Sequence, residues 1–377
     1  MPNPITLAAN QALVTLRTRD PRPGSPVISR SRWSEERAAA WAESTGWLVG
    51  CNFTPSTASN QLEMWQRETF DLTTIDRELG WAADLGMNSA RIFLHDLAWQ
   101  RDGDGFLDRV DQVLGVAASH GISVMPVLFD GIWSPFPRIG PQPEPRPGVH
   151  NSTWVQSPGA EILRDPARWP ALRPYVDSVI GRFGSDPRVV AWDLFNEPDS
   201  PNLAYFRREI GHKSPLVARL LDQVFDWAAA IDPDQPLTAG VYLRTNRHPE
   251  RATQVSRVSL ERSDIVTFHS YQSRVGLEST IRHLRSFGRP LVCTEWLARP
   301  RSPVALLDVF AANDVGAYCW GLVDGRSQTK YSWASWIRRD SATSPWFHEL
   351  LHPDGVPFDT TEATTFRRVT ARMRGSN

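Results

Sequence analysis

The chain has 377 residues, 41% of them hydrophobic and 22% charged, with a formal net charge of −1. This is ordinary globular composition, long enough for one large domain or two medium ones. Acidic and basic residues alternate instead of running in blocks, which excludes a nucleic-acid or membrane-surface role driven by bulk charge.

Residues 1–45 are polar and punctuated by prolines, and they end in a short helical pattern over 34–43. They read as an arm packed on a main domain that spans 46–377, C-terminal tail included. The N-terminus has no basic stretch followed by a continuous apolar one, and no run approaches the roughly 20 apolar residues of a membrane span. Cytoplasmic residence is the resulting expectation.

From Gly46 onward a short apolar run, a loop and an amphipathic stretch repeat. Strands are predicted over 47–53, 89–94, 122–129, 189–195, 236–242, 264–270, 290–296 and 315–322. Their near-continuous Val, Ile and aromatic character is that of strands buried on both faces. Helical patterns lie between them at 73–86, 106–121, 168–184, 214–231, 278–288 and 302–314. The 73–86 helix is expected to begin on a Thr cap and close at Gly86. Eight such units predict a single-domain (β/α)₈ TIM barrel of the α/β class, with the fifth and eighth helices weakly marked. A doubly wound sheet would want a glycine-rich phosphate turn, and the chain has none.

Long loops follow the third strand (130–165) and the eighth (323–344). The first carries seven prolines between Pro135 and Pro158 and reads as a stiff wall. Both would rise on the C-terminal face, where barrel active sites are built. Cys51, Cys293 and Cys319 each sit in an apolar run, which predicts buried free thiols and no disulfide framework. The sixteen tryptophans read mostly as core, although a cluster beside acidic groups would suit stacking on sugar rings.

The fourth predicted strand ends in AWDLFNEP and the seventh in LVCTEW. Each therefore delivers a glutamate, Glu197 and Glu295, to the barrel mouth. An ionisable group at the end of a buried strand is costly unless something uses it. Two such groups facing each other suit glycoside hydrolysis, where one carboxylic acid protonates the leaving oxygen and one carboxylate attacks the anomeric carbon.

With NEP and TE at matching strand ends, residues 46–322 resemble the clan A glycoside hydrolases. The likeness is to family 5 (cellulase-like) or a closely related bacterial 1,4-β-xylanase-like subgroup. The resemblance implies a retaining mechanism with Glu197 as acid/base, Glu295 as nucleophile and Asn196 on the sugar 2-hydroxyl. It also implies that Arg91 holds the nucleophile ionised, that His269 and Tyr271 touch the nucleophile and sugar, and that Trp320 floors the site. Where family 5 members commonly carry a His after strand three, this chain reads LFDGIW. Asp130 and Trp133 stand there, Asp130 as either a sugar ligand or a loop cap.

Further candidates for sugar contacts are His95 and Asp96 after strand two. The first loop offers Asn52, Asn60, Gln61, Glu63 and Trp65, and the last offers Gln328 and Lys330. The expected substrate is an oligosaccharide or small glycoside, cleaved from its end because walled mouths make pockets; an endo-acting cellulase or xylanase is the alternative. A catalytically idle sugar-binding barrel is a second class. A metal-dependent barrel hydrolase, the third, would want an H-x-H at the end of strand one, where the chain reads CNFT. No cofactor or metal is called for, and the oligomeric state is not legible.

Overall fold

The apolar runs become strands because their residues are buried on both faces, by neighbouring side chains inside and by helices outside. In the computed structural model, which describes residues 32–205, 207–211, 213–242 and 253–375, all eight form. They are β1 (Val49–Phe53), β2 (Ser89–Phe93), β3 (Ser123–Asp130), β4 (Trp192–Asn196), β5 (Leu237–Thr238), β6 (Val266–His269), β7 (Leu291–Trp296) and β8 (Gly316–Trp320). All the pairings are parallel, in the order β5-β4-β3-β2-β1-β8-β7-β6. A bridge between Val241 and Phe268 joins the two ends. The result is a closed (β/α)₈ barrel, as the sequence predicts.

The helices cover its outside. They are α1 (Glu35–Thr45), α2 (Gln61–Trp65), α3 (Leu72–Asp84), α4 (Asp96–Arg101), α5 (Gly103–Ser119) and α6 (Ala160–Leu163). Next come α7 (Arg173–Phe183), α8 (Lys213–Ile231), α9 (Gln254–Arg262), α10 (Arg274–Arg285), α11 (Leu307–Ala312) and α12 (Thr360–Arg374). The start of α3 differs from expectation. Asp71, not a threonine, caps it by accepting from the Thr74 N–H at 3.0 Å, because a carboxylate is the stronger acceptor at a helix N-terminus. Two outer helices the sequence left unassigned are α9, hidden among arginines, and α12. Phe366 and Val369 of α12 are buried, and Phe366 stacks on Trp296 of β7 at 6.2 Å.

Of the predicted arm, residues 1–31 lie outside the described residues. Residues 33–45 close the bottom of the barrel. Trp33, Ala38 and Trp41 pack on Leu48, Met125, Val190, Ile265 and Tyr318 near the strand N-termini. The Trp33 N–H donates to Asp264 at 2.8 Å. Among the described residues, these side chains plug the bottom of the barrel, and the site lies at the C-terminal face. There, strand register sets Asn52 beside Arg91 and Trp320, Asp130 beside Asn196, and His269 beside Glu295. The three cysteines are free and buried, and no helix among the described residues is long and apolar enough to cross a membrane.

Candidate active site

Arg91 organises the mouth. Its guanidinium is fully buried and uses its fork of donors on four side chains. Nε donates to Asp193 Oδ2 at 2.9 Å, Nη1 to Asn52 Oδ1 at 2.6 Å and Glu295 Oε1 at 3.1 Å, and Nη2 to Asn196 Oδ1 at 2.7 Å. Residues from β1, β2, β4 and β7 are thereby fixed by one planar cation, which a lysine's single ammonium could not do. Asp193 escaped sequence reading inside AWDLF. Its signal was available: a carboxylate in a buried strand demands a cation as much as Arg91 demands an anion.

Glu295 is held on its other oxygen by Tyr271, whose hydroxyl donates to Oε2 at 2.8 Å. Glu197 follows β4 with φ 40°, a left-handed conformation that costs a non-glycine residue energy and turns its side chain into the mouth. The turn is tight. A Cβ at Gly131, which leaves β3 alongside it, would lie 2.4 Å from the Glu197 carbonyl oxygen. His269 Nδ1 lies 2.8 Å from Glu197 Oε1 and 3.5 Å from Glu295 Oε2. One carboxylate oxygen of each glutamate and this nitrogen all fall within 4.8 Å of one another.

Burial governs the protonation of the group. It pushes the Glu197 carboxyl up to about 7, with the nearby Asp199 charge adding to the rise and Arg91 opposing it. His269 is pushed down to about 4 by burial, so its ring is neutral above that. Glu295 departs from expectation: burial raises it too, with the Glu197 charge adding to the rise. His269, Arg91 and Tyr271 oppose this without overcoming it; Arg91 is also paired with Asp193.

Asp130 is buried and fully engaged by protein. It accepts from Asn196 Nδ2 at 2.9 Å, Gln61 Nε2 at 3.0 Å and Trp154 Nε1 at 2.6 Å. Burial raises it to about 7. Asn196 thus has its carbonyl taken by Arg91 and one amide hydrogen by Asp130. Its second amide hydrogen is left for a ligand.

Aromatic rings line the rest. Trp320 meets Phe93 and Trp154 edge-on at 5.9 and 6.2 Å, and Trp133 stacks on Trp336 at 5.1 Å. Tyr271 meets Trp333 at 4.8 Å and His348 at 5.7 Å. Trp154, Trp333, Trp336 and His348 were not singled out from sequence, because nothing in an irregular loop says where its rings point.

Several expected sugar contacts are taken up by the protein, Glu63 on Arg326 and Lys330 on Asp324 among them. Trp65 is core: its ring packs on Phe70 and Phe106, and its N–H donates to the Phe93 carbonyl at 2.7 Å. His95 is buried and caps α4, accepting from the Leu97 N–H at 3.1 Å. Asp96 accepts from the Ser157 hydroxyl at 2.7 Å and anchors the loop after β3. Gln328 joins the two long loops, accepting from Gly148 N at 3.0 Å and donating to the Arg146 carbonyl at 3.1 Å. Asn52 is at the mouth, but its side chain is spent on Arg91 and on the Thr294 carbonyl.

No protein-family model and no curated protein matches the chain by sequence. Solved structures do match by fold. GH5_18 from Streptomyces cattleya, in complex with GlcNAc, aligns with a TM-score of 0.59 at 14% identity, over 88% of this chain and 81% of that one. GH5_18 from Bifidobacterium longum subsp. longum aligns with a TM-score of 0.59 at 16% identity, over 87% and 80%. The endo-1,4-β-mannanase from Rhizomucor miehei aligns with a TM-score of 0.55 at 13% identity, over 88% and 99%. At such identities the likeness establishes the shared barrel fold.

Proposed function

We propose that the chain is a retaining glycoside hydrolase of β-linked oligosaccharides or small glycosides. The observation that carries this is the pair of glutamates at the ends of β4 and β7, with oxygens within 4.8 Å. Retaining enzymes hold their carboxyl groups about 5–5.5 Å apart, whereas inverting ones leave about 6.5–9.5 Å for a water. The names of the fold neighbours agree with this reading.

Glu295, paired with Arg91, attacks the anomeric carbon, while Glu197 gives its proton to the departing oxygen. Water then releases the glycosyl group, with Glu197 taking the proton back. Glu197 suits the acid role because burial keeps it protonated up to about 7. Neutral His269 bridges the two, and its Nδ1 can follow the proton on Glu197. The free amide hydrogen of Asn196 suits the sugar 2-hydroxyl, and the Trp320 ring supplies an apolar face below the sugar.

Glu197, His269 and Glu295 also have the spacing of a metal-binding group. Arg91 already neutralises Glu295 at 3.1 Å, which favours the metal-free reading; insensitivity of the activity to EDTA is the check. Exo action is supported by the way the two long loops are joined. The Trp336 indole donates to the His150 carbonyl at 2.8 Å, and Asp340 N to the Gly148 carbonyl at 3.0 Å. The loops rise from β3 and β8, so together they wall the mouth above β2 and β1. On this reading a substrate chain running between Glu197 and Glu295 ends at that wall.

The test is a pair of variants on an activated aryl glycoside chosen from a panel. Glu295→Ala should abolish turnover, and Glu197→Ala should leave slow hydrolysis that azide accelerates. Full activity in either variant would sink the assignment.

A further inference from the structure

Next to Trp320 lies a buried acid that the proposed chemistry does not use. Glu349, in the loop after β8, is 1% exposed. Its Oε1 accepts from the Thr329 hydroxyl, while among the described residues Oε2 has no partner and neither has the neighbouring Trp320 indole N–H. Both residues line a small cavity of about 20 Å³, room for a single water-sized group such as one hydroxyl, whose lining includes Asn52, Thr54, Trp154 and Thr329.

Two backbone features hold this arrangement at a cost. Glu349 itself has φ 60°, a left-handed conformation for a non-glycine residue. Gly321 must lack a side chain, since a Cβ there would lie 2.7 Å from Glu349 Cγ and 3.0 Å from the Thr329 hydroxyl oxygen. A buried carboxyl with an empty oxygen and a strained backbone is expensive, and a leucine of similar volume would remove the expense. Such unrelieved costs gather where a ligand completes the bonding.

Burial and the Asp324 charge hold the Glu349 carboxyl well above the ordinary carboxylate range, opposed by Thr329 and Lys330. Burial thus favours its protonated form, which can both donate and accept. Aromatic faces beside a few convergent polar groups are what a sugar-binding pocket offers. The space also lies between β8 and β1, under the wall formed by the two long loops.

We propose that Glu349 and the Trp320 indole N–H read one hydroxyl of the terminal sugar, on a ring carbon other than C2, at the closed end of the cleft. The proposal rests on the glycosidase reading and adds a specificity determinant to it. Sites built to bond a particular hydroxyl reject analogues lacking it far more strongly than apolar pockets reject a methylene.

The experiment is a cycle of monodeoxy aryl glycosides (3-, 4- and 6-deoxy, in the sugar series the enzyme prefers) against wild type, Glu349→Leu and Glu349→Gln. In wild type one of these deoxygenations should lower kcat/KM by roughly tenfold or more. In Glu349→Leu that penalty should shrink to about twofold, and in Glu349→Gln, which keeps a donor and an acceptor, it should persist. Equal penalties in wild type and Glu349→Leu would show a structural acid and overturn the proposal. If Glu349→Leu does not fold, the wild-type series still decides, because indifference to all three deoxygenations overturns it. Should the chain bind sugars without cleaving them, the glycosidase reading fails and the same cycle is read in Kd. Binding of no sugar at all overturns both.

Discussion

Replacing Arg91 by alanine removes the one cation shared by Asp193 and Glu295, and it strips Asn52 and Asn196 of a donor. Breaking a buried ion pair from one side costs about 3–5 kcal/mol, because the charge left behind is uncompensated. For a chain of 377 residues the unfolding entropy near the midpoint is about 0.8 kcal/mol/K, so Tm should fall by about 4–6 °C. The loss should depend on pH, with a definite sign. Without Arg91 the folded-state pKa of Glu295 rises further above its unfolded value. A carboxyl raised in the fold contributes stability at low pH and loses it as pH rises through the folded pKa. The gap between wild type and Arg91→Ala should therefore be wider at pH 8 than at pH 5. Thermal unfolding followed by calorimetry or fluorescence at both values is the assay. A gap under about 1 kcal/mol, the size of an exposed pair, or one that is the same at both pH values, would refute the argument.

Other consequences follow from the same geometry. The alkaline limb of kcat/KM should fall near pH 7, since Glu197 must be protonated to act and is pushed up to about 7; a limb above pH 9 would point to another acid. Tyr271→Phe removes a hydrogen bond that lowers Glu295. It should move the acid limb to higher pH and cost about 100–1,000-fold in kcat, the range of a lost charge-stabilising donor, read from the pH profile of steady-state rates. Gly131→Ala should lower kcat and thermal stability together. Its Cβ would press within 2.4 Å of the Glu197 carbonyl oxygen and 2.7 Å of that of Pro198, so the acid/base would be displaced; unchanged kcat would show that the turn can yield.

The barrel was legible because buried parallel strands must be continuously apolar, and β1 to β8 all carry that mark. Glu197, Glu295 and Arg91 were legible for the opposite reason: charges in or beside such strands stand out. The misreadings fall where side-chain direction matters more than residue type. Trp65 sits in a polar stretch, NQLEMWQ, yet that stretch forms α2 and turns the ring into the core. His95 and Asp96 follow a strand as active-site residues do, but they are taken up by helix capping and loop anchoring. Asp130 was left between a ligand and a cap, and its three side-chain donors give it a supporting place behind Asn196. The raised Glu295 could not be read from sequence, because it depends on how deeply the carboxyl is buried and how near Glu197 lies. Glu349 and Trp154 lie in long loops without periodicity, where no pattern links position to orientation.

The stereochemistry of the first product tests double displacement at this site most directly. Proton NMR of a β-configured aryl glycoside, followed from the first turnovers, distinguishes the anomers before mutarotation. Two glutamates as close as Glu197 and Glu295 predict that the β-anomer appears first and the α-anomer only later. Initial release of the α-anomer would mean single displacement by water, and would contradict the roles given to both residues.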